Sequence, residues 1–156
     1  MNQQLRKNAR GFTIIEVMIV LAIAGLILLI VFLAVPALQR NSRNTQRKND
    51  VSTILGSVNE YTSNNNGTLP TTCAQSTQGA NLGYYTGGCA AGAGAVTQVA
   101  GAQGALANTA ANDRLVVVTS ATCGAGGAAL AGSARQVAVQ YLTEISGGWT
   151  ATCQQS

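Results

Sequence analysis

The chain reads as an α+β protein in which a long N-terminal helix, apolar first and amphipathic after, is packed against a small antiparallel β-sheet head. Three observations predict this. Residues 17–38 run for 22 positions without a charge, amide or hydroxyl. Val51, Ile54, Leu55, Val58 and Tyr61 then recur at i, i+3, i+4, i+7 and i+10, the period of a helix with one buried face. Finally, RLVVVTS (114–120), QVAVQYLT (136–143) and GWTATC (148–153) are rich in the β-branched and aromatic residues that suit strands.

The apolar span predicts a membrane helix. At about 1.5 Å rise per residue it is long enough for the roughly 30 Å hydrocarbon core of a bilayer. Glu16 sits at its edge, and a carboxylate costs up to about 2.5–3.5 kcal/mol at the bilayer centre, so it needs a partner. A cleaved secretory signal has an apolar region of only about 7–15 residues, and no small-x-small site follows Leu38 before the polar run. An uncleaved anchor is the plainer alternative. Basic residues flank the span almost evenly, with Arg6, Lys7 and Arg10 before it and Arg40, Arg43, Arg47 and Lys48 after it, so charge leaves orientation open.

Past Pro36, residues 39–50 are wholly polar and lead into the periodic stretch 51–61. Gly67, after three asparagines and just before Pro70, is a helix stop. One helix is therefore expected from about Thr13 to Asn65, bent near Pro36 and roughly 75 Å long if unbroken. Residues 71–112 are low in complexity and read as loops with a short strand near 95–100. Ile145-Ser146-Gly147-Gly148-Trp149 reads as a hairpin turn, because Gly-Gly supplies the positive φ a tight turn needs. The sheet would lie on the 51–61 helix face, which needs a partner layer.

Composition argues against catalysis. There is no histidine, only 9% of residues are charged and 4% aromatic, so the commonest general base and metal ligand are missing. The glycines at 87–104 lack phosphate-loop spacing and no Lys follows them; Asn66-Gly67-Thr68 matches a glycosylation sequon but is already explained as the helix stop. No enzyme, cofactor or metal is expected.

The junction Arg10-Gly11-Phe12-Thr13-Ile14-Ile15-Glu16 resembles the cleavage and methylation signature of type IV prepilins: a short basic leader ending in Gly, then Phe, with Glu fifth after the cut. The resemblance implies a leader of residues 1–11, cleaved after Gly11 by a membrane-embedded prepilin peptidase that methylates the new amine of Phe12. It implies a transmembrane and filament-core helix over 12–38, its amphipathic continuation over 39–66 and a disulfide-stapled β head over 67–156. The subunit would be stored in the membrane and polymerised on a pilus assembly platform into a homopolymeric extracellular filament, serving adhesion, motility or DNA uptake. Phe12 and Glu16 would carry assembly, the Glu of one subunit meeting the amine of its neighbour. Family members commonly bend this helix at a Pro about eight residues after a Gly. Here Gly25 is followed by Pro36, eleven later, with Leu33 at the usual place, so the span is longer. Without Arg6, Lys7 and Arg10, six basic residues face five acids, and the chain's +4 falls to about +1. The basic balance is thus partly a targeting signal. Two other readings remain at this stage: a minor pilin or pseudopilin of a secretion or competence system, and a single-pass anchored surface domain that never polymerises.

Cys73, Cys89, Cys123 and Cys153 all lie in the distal part, at intervals of 16, 34 and 30, with no C-x-x-C pair. Zinc would need all four thiolates, whereas disulfides suit a small head poor in large apolar residues and place it outside the cytoplasm. Four cysteines allow three pairings. The favoured one joins Cys73 to Cys89 across a glycine-rich loop and Cys123 to Cys153, tying back the last strand as in the C-terminal loop of many pilins. Arg40, Arg43 and Arg47 fall on one helix stripe with Lys48 beside it, readable as a solvated face, a lipid-headgroup contact, a subunit contact or a DNA contact. No aromatics interleave them, so neither DNA nor a host surface is specifically indicated.

Overall fold

The computed structural model describes residues 11–156; residues 1–10 of the expected 1–11 leader, Arg6, Lys7 and Arg10 among them, lie outside the described residues. Two compact units divide the chain between Leu38 and Gln39. A single helix, α1 (Ile14–Asn64), begins in the first unit and ends in the second, with Pro36 inside it. Its start is fixed by Thr13, whose hydroxyl oxygen accepts the Glu16 backbone N–H at 3.3 Å, an N-cap interaction. Its end is closed by Asn66 (φ 55°) and Gly67 (φ 83°), with the Gly67 N–H donating to the Thr62 carbonyl at 2.8 Å. That is a Schellman closure in which Asn66 occupies the left-handed position just outside the helix and Gly67 follows it.

In the first unit every residue from Gly11 to Leu38 is exposed, including 19 large apolar side chains from Phe12 to Leu38. This is the only helix among the described residues long and apolar enough to cross a membrane.

In the second unit the C-terminal part of α1 lies on a mixed sheet of strand order β1-β2-β5-β6, where β1 is Val96–Ala100, β2 Leu115–Thr119, β5 Val137–Ile145 and β6 Gly148–Gln155. β2–β5 and β5–β6 pair antiparallel, while the edge strand β1 pairs parallel to β2. The sheet is therefore mixed rather than purely antiparallel. The chain from 101 to 114 makes the crossover that a parallel pair requires. β5 and β6 are joined by the two residues Ser146 and Gly147, only the latter with positive φ (94°).

β2 is buried along its whole length because both sheet faces are covered, which is why LVVV is a continuous apolar run. Leu115 and Val117 pack with Val51, Ile54, Leu55 and Val58 of α1, together with Val137, Val139 and Tyr141 of β5. Val116 and Val118 face the other way, into a second cluster with Leu106, Ala121, Ala129, Ala138 and Leu142. Fully burying a side chain such as Ile54 contributes about 1.5–3 kcal/mol.

The second cluster is roofed by elements too short to announce themselves in the sequence. β3 (Ala121–Cys123) and β4 (Ala129–Ala131) form a two-stranded ladder, entered from β2 through Ser120 at φ 56°. Gly127, at φ 80°, approaches β6 so closely that a Cβ there would stand 2.6 Å from the Ala151 carbonyl carbon. A short helix, α2 (Cys73–Ser76), starts the loop region after α1.

The cysteines are bonded Cys73 to Cys89, with Cα atoms 5.7 Å apart, and Cys123 to Cys153, at 5.6 Å. The first bond closes the loop after α2; the second joins β3 to β6. Replacing Cys123 and Cys153 together by Ser is expected to lower the stability of the second unit by about 2–4 kcal/mol. Urea unfolding of the two chains checks it, and equal midpoints would contradict it.

Candidate functional site

Gly11 and Phe12 precede the helix, and Glu16 is the third residue within it. An acid in the first turn faces the helix's four unpaired N–H groups and is favoured there by the helix dipole. The Thr13-Ile14-Ile15-Glu16 spacing is that of a capping box, of which the structure makes one bond, from the Glu16 backbone N–H to the Thr13 hydroxyl. Phe12 is 83% exposed. A Cβ on Gly11 or on Gly25 would meet no atom within 4 Å, so nothing inside the described chain demands glycine at either place. Gly25 even weakens the helix, by roughly 1 kcal/mol relative to Ala.

Within the basic stripe Arg47 departs from all four readings, while Lys48 is exposed. Arg47 is fully buried: its guanidinium donates to Asp113 Oδ2 at 2.7 Å, to Glu144 Oε1 at 2.9 Å and to Asn44 Oδ1 at 3.1 Å. Arg43 forms a fork with the same Glu144 through Nε at 2.7 Å and Nη2 at 2.5 Å. Tyr84 closes the cluster by donating to Asp113 Oδ2 at 2.5 Å. Its ring and that of Trp149 lie 4.1 and 4.9 Å from the Arg47 guanidinium carbon. Two cations thus balance two carboxylates; Arg47 is committed inside the unit, while Arg43, its side chain 42% exposed, is tied to Glu144 at the unit's surface. One turn further along α1, Asp50 accepts the backbone N–H groups of Gly83, Tyr84 and Tyr85 at 2.7–2.9 Å, anchoring that loop to the helix. Arg40 and Lys48 make no ion pair among the described residues.

The electrostatics follow from these contacts. Hydrogen bonding to Arg43, reinforced by Arg47, overrides burial and holds Glu144 down at about 2, against an ordinary 4.5. Burial, with Asp113 beside it, pushes the Tyr84 hydroxyl up to about 12. Burial alone would lower Arg47, but Asp113 and Glu144 leave it raised. A carboxylate with a lowered folded pKa contributes stability that is complete above its unfolded pKa. The Glu144 contribution is therefore expected to disappear as pH falls from about 4.5 to about 2. Thermal melting of the native chain and of Glu144→Gln should converge over that window; a constant difference through it would contradict the assignment.

No group of three or more His, Cys, Asp or Glu among the described residues is placed to hold a metal ion.

Residues 6–32 match the prokaryotic N-terminal methylation motif, the class III signal that is a hallmark of type IV pilins. That match is to a structural rather than an enzymatic family, and it fits a pilin-like or pseudopilin precursor that a prepilin peptidase processes. The motif and the apolar helix together fit a membrane-anchored precursor. No curated protein and no solved structure matches the chain.

Proposed function

We propose that this chain is the precursor of a filament subunit of the type IV pilin class, cleaved between Gly11 and Phe12, methylated on Phe12 and polymerised through residues 12–38. The observation that carries the reading is a methylation motif running directly into a helix whose 19 large apolar side chains are all exposed. Water does not tolerate such a surface, since soluble monomers seldom expose a contiguous apolar patch above about 300–600 Å². A bilayer covers it before assembly, and the same surface of neighbouring subunits covers it afterwards. Residues 1–11 act as the leader, and the β head beyond residue 66 is displayed at the cell surface.

Because nothing within the described chain restricts Gly11, its smallness serves an outside agent, the peptidase that must reach the backbone at the scissile bond. Gly25 fits the same logic, as a small residue that lets neighbouring helices approach closely. Gly11→Leu is expected to leave folding unchanged and block cleavage, so that precursor starting at Met1 accumulates in the membrane fraction. Filaments built from such precursor would overturn the reading.

A further inference from the structure

On the sheet face turned away from α1 the head holds a pocket of about 340 Å³, within the range of small-ligand sites of roughly 300–1,000 Å³. Its polar lining comes from Thr97 on β1, Gln103 and Asn112 in the crossover, Arg114 just before β2, and Gln140 on β5, with Val116 as part of the apolar floor. Strand alternation puts these together. Thr97 and Gln140 are the register partners of Val116 on its two sides, and Arg114 lies two residues from Val116, on the same face. Asp113, the neighbour of Arg114, points to the opposite face and is occupied by Arg47.

Arg114 is the anomaly. Its Nε is the one buried side-chain nitrogen or oxygen without a hydrogen-bond partner among the described residues. Arg114 also makes no ion pair there, and none of the chain's five acids lines the pocket. An unmet buried donor carries its full desolvation cost, and native folds keep few of them without a reason. The walls are fixed: Gln103 exchanges two backbone hydrogen bonds with Ala129, at 2.8 and 2.9 Å, and the fully buried Gln140 donates to the carbonyls of Gly104 at 3.0 Å and Gly127 at 2.8 Å.

We infer that this pocket binds a small carboxylate carried on a hydroxylated frame, such as an acidic sugar, with Arg114 receiving the carboxylate. A guanidinium offers Nε and Nη as a planar fork that a carboxylate matches with two parallel bonds. The hydroxyl of Thr97 and the amides of Gln103 and Asn112 each donate and accept, which suits sugar hydroxyls. Every residue involved belongs to the second unit.

The test is a titration of the full-length chain in detergent micelles, followed by ligand-observed NMR, with sodium D-glucuronate as probe. D-glucose is the frame without the carboxylate, acetate the carboxylate without the frame, and inorganic phosphate a competing oxyanion. Glucuronate should bind saturably, and glucose, acetate and phosphate each at least about tenfold more weakly. Arg114→Met should abolish binding and melt no lower than the native chain, since it removes an unmet donor. Arg114→Lys keeps the charge without the fork and should restore binding only in part. The inference is overturned if glucuronate does not saturate, if phosphate binds more tightly, or if Arg114→Met binds undiminished. It is equally overturned if Arg114→Met melts well below a native chain that binds no glucuronate, which would make Arg114 a structural residue satisfied by water.

Discussion

Arg47→Ala is expected to lower the stability of the second unit by about 3–5 kcal/mol, the cost of breaking a buried ion pair from one side. The reason is what the substitution leaves behind. Asp113 and Glu144 are buried or nearly so, and both are neutralised by the guanidinium at 2.7 and 2.9 Å. Arg43 still reaches Glu144, but Asp113 keeps only the hydroxyls of Tyr84 and Tyr85 against a full negative charge. Tyr84 and Trp149 also lose the flat cation between them. Trp149 is the sole tryptophan, so its fluorescence during urea unfolding reports this cluster directly. Domains are stabilised by about 5–15 kcal/mol in all, so the variant should unfold at a much lower urea concentration. A change below about 1 kcal/mol would mean the cluster is no more than a surface ion pair.

Glu16→Ala has the largest expected effect on function. On the proposed reading the cut chain begins with a positive amine at Phe12, four residues from Glu16, and both charges lose water inside a filament. An isolated charge there is costly and an opposite one nearby offsets it, so the carboxylate of one subunit pairs with the amine of the next and sets axial register. The helix itself loses little by the substitution. Glu16 is exposed in the first turn, where an acid contributes about 0.3–1 kcal/mol, and Thr13 still caps it through the Glu16 backbone N–H. Synthesis and membrane insertion should therefore be normal, while filament number and length fall sharply. Electron microscopy of cells carrying the Ala chain as sole subunit checks this. Normal filaments would remove the pairing role, and failed insertion would show that residues 12–38 are not the membrane segment.

Local patterns carried most of the fold into the sequence. Ile14–Asn64 was legible because its two halves announce themselves differently, one by 22 uninterrupted apolar residues and one by helical periodicity. β2, β5 and β6 were legible because LVVV, VAVQYL and WTATC have strand composition. The three-residue strands β3 and β4 were not, since ATC and ALA among glycines carry no periodicity and form only because β2, β5 and β6 offer them a face to cover. Nor was the parallel pairing of β1, which depends on a crossover between distant segments.

The clearest misreading concerned charge. The buried stripe of α1 begins at Arg47 and Asp50, one turn before Val51, on the same i, i+3, i+4 and i+7 progression as Ile54 and Val58. Extending the apolar stripe backwards by one turn finds it, but the polarity of residues 39–50 pointed to contacts outside the unit or to solvent. The partners of Arg47, Asp113 and Glu144, lie 66 and 97 residues away, and those of Asp50 33 to 35 away, beyond any local signal. The N-terminal motif, by contrast, needed no tertiary information, because Gly11, Phe12 and Glu16 are read from six consecutive residues.

Intact-mass analysis of filaments sheared from cells that supply a prepilin peptidase and an assembly platform tests the central claim most directly. The account predicts one species starting at Phe12, carrying one methyl group on its amine and four hydrogens lighter than the fully reduced chain. Filaments composed of chain beginning at Met1, or mature chain confined to the membrane with none in the sheared fraction, would contradict it.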